Sequence, residues 1–94
     1  LKVRWLSKAI HDLQRAETFI ADDNPEAAVR VVLRVIESVG FLGDNPAMGR
    51  TGRIEGTREL VVSGTPFIVP YRVTDGRVEI LRVFHHSQKW PEGI

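Results

Sequence analysis

The spacing of apolar residues changes once along this chain, and that change dictates the kind of fold open to it. From Ser7 to about Leu42 the apolar positions recur at helical spacing: Ile10, Leu13, Ala16 and Ile20 form one stripe, while Asp12, Arg15 and Glu17 face away. Beyond residue 56 the period shortens to that of strands, over about Thr57 to Val62, Phe67 to Val73 and Val78 to Phe84. A short opening strand, Lys2 to Leu6, sets Val3 and Trp5 against Arg4 and Leu6. The expected fold is α+β in the order β-α-α-β-β-β, an N-terminal helical hairpin packed on one face of an antiparallel sheet.

Local signals place the boundaries. Ser7 is expected to cap the first helix, which runs to about Ala21. In Asp22-Asp23-Asn24-Pro25 the asparagine is a good N-cap and the proline falls where its missing N–H costs nothing. The β-branched Val29, Val31, Val32, Val35, Ile36 and Val39 would suit a strand, yet Glu26, Arg30, Arg34 and Glu37 share a narrow stripe, so the segment is expected to be helical to about Leu42. Its apolar arc is wider than one sheet face needs, which leaves part of it for a partner. Asp44 to Arg53 is dense in turn formers and is expected to be the most mobile segment. Asp75-Gly76 marks a tight hairpin, and Pro70, unable to donate to a ladder, demands a bulge or an unpaired edge.

With 94 residues, the chain is expected to form one domain over residues 1–94, ending in an aperiodic tail, residues 85–94. Trp90 in that polar tail should dock on the domain or on a partner. The absence of cysteine removes disulfides, thiolate metal sites and cysteine nucleophiles, and fits a reducing cytoplasm. The longest apolar-rich stretch, Ala27 to Leu42, is broken by Arg30, Arg34 and Glu37, so no membrane span is expected; neither is a secretory leader, a cofactor or a metal.

Net charge is only +1, but ten of the thirteen basic residues are arginine, and the half from Arg50 onward holds seven bases against five acids. Arg50, Arg53 and Arg58 lie on or just after the long loop, and Arg72 and Arg82 lie within strands, where a half-buried guanidinium needs a partner or a purpose. Strand parity sets Arg82 on one face with Val78, Ile80 and Phe84, where it either pairs with Glu59 or Glu79 or reads a phosphate or an acidic protein. His85 and His86 follow the last strand; neighbours on extended backbone point apart, so they do not share one metal. Either is a hydrogen-bonded strand-end histidine or, beside arginine, a general acid for phosphodiester cleavage. No phosphate loop, HExxH or nucleophile elbow is present.

Four stretches resemble the RelE/ParE superfamily of bacterial toxins, and ParE more than RelE: Ser7 to Leu13, Asn45-Pro46-Ala47-Met48-Gly49-Arg50, Thr57 to Val62, and Pro70-Tyr71-Arg72-Val73 through Val78 to His86. The resemblance implies a cytoplasmic toxin of a type II toxin-antitoxin system, bound in a hetero-oligomer by a cognate antitoxin. ParE-like members poison DNA gyrase, and RelE-like members cut messenger RNA on the ribosome. Ribonucleases of this kind carry bases on the central strands; here Phe67 to Tyr71 holds none before Arg72, which favours the gyrase inhibitor. Target contact is then expected from Arg58, Arg82, His85, His86 and Trp90, and antitoxin contact from Val32, Val35, Ile36, Val39 and Arg72. The ribonuclease alternative assigns the acid to His85 or His86 and phosphate binding to Arg53, Arg58 or Arg82. A third reading is a degenerate toxin kept for transcriptional autoregulation with its antitoxin.

Overall fold

The computed structural model describes residues 1–94. Strand β1 (Lys2–Trp5) leads into helices α1 (Ser7–Asp23) and α2 (Pro25–Gly40), and a 3-10 turn at Phe41–Gly43 extends the second helix. Five strands follow: β2 (Arg50–Thr51), β3 (Arg58–Val61), β4 (Phe67–Thr74), β5 (Arg77–Ile80) and β6 (Phe84–His85). They form a six-stranded sheet in the order β1-β5-β4-β3-β2, with β6 also on β4. No helix is long and apolar enough to cross a membrane.

The helical hairpin arises where expected. The Asn24 side chain accepts a hydrogen bond from the Ala27 N–H (3.1 Å) and Pro25 opens α2. Ser7, however, is the first helical residue, and the cap position falls to Leu6, which makes no side-chain cap. The hairpin and the sheet enclose Ala9, Val35, Val39, Leu42, Leu60, Val62, Val69, Tyr71, Val78 and Ile80, with Leu13, Ala16, Ile20, Val3 and Trp5 packed against them.

The sheet is mixed, not wholly antiparallel: β1 runs parallel to β5, with Val3 beside Val78 and Trp5 beside Ile80. Alternation reveals which side chains face the core and is silent on strand direction, so this pairing was not legible beforehand. The third long strand is also interrupted. Tyr71 faces Ile80, but Ile68 faces Phe84, so three steps along β4 are matched by four on the opposite strand. The extra residue is a β-bulge opposite Pro70, the residue with no N–H to donate; its carbonyl still accepts from the Leu81 N–H at 3.0 Å.

The bulge reverses the alternation. Val83 joins the core beneath the helices, while Phe84 turns to the outer face beside Ile68. Ile68, Pro70, Leu81 and Phe84 are buried on that outer face by the 50–57 segment and the tail, which together form a second, smaller apolar layer.

Candidate functional site

Three carboxylates organise the arginines. Asp12 on α1 accepts from Arg82 Nε at 2.7 Å, Arg82 Nη2 at 3.0 Å and the Val83 backbone N–H at 3.0 Å. It therefore satisfies the donor that the bulge leaves without a strand partner and neutralises the guanidinium beside it. This bidentate contact holds the Arg82 pKa above its ordinary value, against the opposing effect of burial. The partner of Arg82 is thus neither Glu59 nor Glu79, and Asp12 does not face solvent. The bulge removes Arg82 from the parity that seemed to align it with Phe84.

Glu59 on β3 is only 2% exposed. Its Oε1 accepts from Arg50 Nη2 at 2.9 Å, and its Oε2 accepts from both the Arg53 backbone N–H (2.9 Å) and Arg53 Nε (3.1 Å). Burial raises the Glu59 pKa, but the hydrogen bonds from Arg53 and Arg50 outweigh it and hold the group below the ordinary carboxylate value. The Arg53 guanidinium lies 3.5 Å over the Trp90 ring, which in turn packs on Phe84 at 4.7 Å between centroids. The tail thus docks on its own domain. Glu79 on β5 binds Arg72 (2.7 Å) and Arg77 (3.0 Å), and these contacts hold its pKa low.

The segment expected to be most mobile is fastened to the sheet instead. Tyr71 Oη donates to the Pro46 carbonyl and accepts from the Gly49 N–H, both at 2.8 Å. Arg58 Nη1 donates to the Gly49 carbonyl at 2.8 Å. A Cβ on Gly49 would sit 2.6 Å from the Tyr71 ring and 2.9 Å from the Glu59 carbonyl, so only glycine permits this approach. The physical content of the Asn45 to Arg50 stretch is therefore a clasp on Tyr71.

The two histidines do not point apart: the chain turns after His85, and their rings stack at 4.8 Å. His85 Nδ1 accepts from the Ser87 backbone N–H at 3.1 Å, which leaves Nε2 to carry the proton in the neutral ring. His85 lines a cleft of about 520 Å³ between α1 and β6, together with Arg15, Phe19, Phe67 and the Arg82–Asp12 pair; neither Arg53 nor Arg58 reaches it. Of the residues named for phosphodiester cleavage, His85 and Arg82 thus share this cleft while Arg53 and Arg58 lie elsewhere, and Arg53, Arg58 and Arg82 are each engaged by an internal acceptor.

Of the residues expected to meet an antitoxin, Val35 and Val39 are fully buried in the chain's own core and are unavailable to any partner. Val32 is half-buried and Ile36 is exposed; the exposed apolar stripe of α2 is Val29, Leu33 and Ile36. Arg72 is half-exposed but tied to Glu79. Sequence reasoning missed Asp12, Tyr71 and the acid partners of Arg50, Arg53 and Arg72. For Arg72 a signal existed: a two-residue Asp75-Gly76 turn places Thr74 opposite Arg77 and therefore Arg72 opposite Glu79.

Comparison with known proteins gives one answer. The family model described as the ParE toxin of the type II toxin-antitoxin system parDE matches residues 3–90. Y4kP of Sinorhizobium fredii is 45% identical over 91 residues, covering 97% of this chain and 94% of the relative. Toxin RelE2 of Caulobacter vibrioides is 36% identical over 87 residues, covering 93% and 97%. Among solved structures, the chromosomal ParDE toxin-antitoxin system from P. aeruginosa superposes with a TM-score of 0.81 at 30% identity, covering 90% of this chain and 95% of that one. The toxin-antitoxin complex RelBE2 from Mycobacterium tuberculosis gives 0.66 at 31%, covering 89% and 95%. A matched helical hairpin on a mixed sheet, carried by a family model over almost the whole length, places this chain in the ParE toxin family of type II toxin-antitoxin systems, within the RelE/ParE superfamily.

Proposed function

We propose that this toxin inhibits DNA gyrase by contact, acts in the cytoplasm and is silenced by a cognate antitoxin in a hetero-oligomer. The observation that carries the reading is the state of the arginines: Arg50, Arg53, Arg72, Arg77 and Arg82 are each paired with an internal carboxylate. A guanidinium already neutralised adds little to a charge developing on a scissile phosphate. A protein of this kind works as a binding surface, with no covalent step. In a purified supercoiling reaction the free toxin stabilises gyrase-cleaved DNA; absence of cleaved product at saturating toxin rejects the reading.

The antitoxin part draws on the solved neighbours, which are toxin-antitoxin complexes, and on the exposed Val29, Leu33 and Ile36 of α2. A segment that orders along this stripe needs a large apolar contact to offset its entropy cost. Co-purification of the neighbouring gene product from the native operon tests it. The ribonuclease reading keeps one specific support, the placing of His85 beside Arg15 and Arg82 in one cleft. Replacing His85 and His86 by alanine separates the two: growth arrest that persists in the folded variant leaves only contact inhibition.

A further inference from the structure

The near-neutral net charge conceals a segregated surface. On β1, Val3 and Trp5 pack into the core, so Lys2 and Arg4 lie on the outer face of the sheet. The parallel register sets Lys2 beside Arg77 and Arg4 beside Glu79, and the β4–β5 register sets Arg72 on the other side of Glu79. Four cations therefore surround the Glu79 carboxylate, with Glu55 beside Arg72 in the cleft at the margin of the patch. Arg72 and Arg77 share the Glu79 carboxylate, while Lys2 and Arg4 have no ion-pair partner and are exposed. The acids Asp22, Asp23 and Glu26 are gathered instead at the tip of the helical hairpin, about 25 Å along α1 from the end of β1.

The spacing of the patch is set by the sheet. Lys2 and Arg4 are about 6.7 Å apart along β1, and Arg4 and Arg72 about 10 Å apart across two inter-strand gaps. Each strand of duplex DNA carries one charge per ~3.4 Å of helix axis, a density high enough for cations ~6.7 Å apart each to meet a phosphate. The outer-face side chains of β1, β5 and residues 72–74 are Lys2, Arg4, Arg77, Glu79, Arg72 and Thr74, none of them apolar. A protein partner needs an aromatic or aliphatic anchor at the centre of its contact; the centre of this face has none, and the nearest apolar side chains, Ile54 and Leu81, line a cleft at its Arg72 margin. A polyanion needs only the cations.

We infer that this β1–β5–β4 face is a contact for the phosphate backbone of duplex DNA. The inference deepens the gyrase reading, since an inhibitor seated on that enzyme meets the DNA it holds, but the test uses the toxin alone. A short labelled DNA duplex is titrated with the toxin by fluorescence anisotropy as salt rises. About three neutralised phosphates give a slope near −3 in log K against log salt, a loss of ~60-fold between about 50 and 200 mM. The variant Lys2→Gln/Arg4→Gln lowers the slope by about two with unchanged melting, because neither side chain has an internal partner. Arg4→Lys keeps the wild-type slope, and Arg30→Gln on α2 leaves binding as it was. No binding at low salt, binding indifferent to the double substitution, equal binding of polyglutamate, or preference for duplex RNA each overturns the inference. A toxin that binds DNA in this way but never stabilises gyrase-cleaved DNA leaves the patch standing and removes the gyrase reading.

Discussion

Replacing Asp12 by alanine tests the node on which the last part of the chain is built. The substitution removes three hydrogen bonds at once, two from Arg82 and one from the Val83 N–H. The side chains are 20% exposed for Arg82 and 10% for Asp12, so the pair is mostly but not wholly out of water. Breaking a buried pair costs about 3–5 kcal/mol, because the surviving charge is left without compensation. Here the adjoining cleft lets water reach the guanidinium and the freed N–H, which favours the lower end, about 3 kcal/mol. For a domain of this size that lowers the melting temperature by roughly 15 °C. Urea titration of Asp12→Ala, Arg82→Met and the double variant measures it. The double variant should be less destabilised than the sum of the two single ones, since removing both partners leaves no orphaned charge. A cost below about 1 kcal/mol for Asp12→Ala, or strictly additive costs, refutes the reasoning.

Three further outcomes follow from the same geometry. The Glu59 carboxyl is held below its ordinary value of 4.5 in the folded state, so the unfolded chain binds more protons in acid; stability is present above that value and is lost as pH falls through the folded one. Denaturant midpoints between about pH 5 and 3 should therefore drop more steeply for the wild type than for Glu59→Gln. Tyr71→Phe removes the donor to Pro46 and the acceptor for Gly49, at a cost of about 2 kcal/mol, and amide exchange at Gly49 should accelerate; unchanged exchange would mean that the clasp holds the loop by packing alone. Trp90→Ala frees the tail from Phe84 and Arg53, so trypsin should cut after Lys89 faster while the core melts only slightly earlier.

The helical hairpin was legible because its signals are local: Asn24-Pro25 caps and starts α2, and the apolar stripe of α1 packs Leu13, Ala16 and Ile20 against the core, although Ile10 of the same stripe is exposed and Ala9 is buried in its place. The Asp75-Gly76 turn was legible for the same reason, with φ positive at both residues. Pro70 announced an irregularity, and the bulge stands opposite it. What escaped depends on contacts distant in sequence. Asp12 and Arg82 are 70 residues apart, and no pattern on α1 reveals that one of its polar positions faces a strand. Val35 and Val39 share the apolar character of Val29 and Leu33, and only the packed sheet decides which of them is left over for a partner. The loop before β2 looked free because its anchor, the Tyr71 hydroxyl, lies two strands further on.

The single supernumerary residue between Ile80 and Phe84 has a reach beyond its own ladder. The bulge, which matches four residues to three on β4, keeps Phe84 beside Ile68; because side chains on a strand swap sides at every step, the same residues in a regular ladder would send Phe84 toward the helices and His85 to the exterior. Trp90 would then lose the ring it rests on, and Arg53 the aromatic lid above it. The side to which the C-terminus belongs is therefore set by this backbone irregularity more than by side-chain identity: a conservative exchange can be absorbed by repacking, whereas straightening the strand at unchanged length would move the tail to the other half of the molecule.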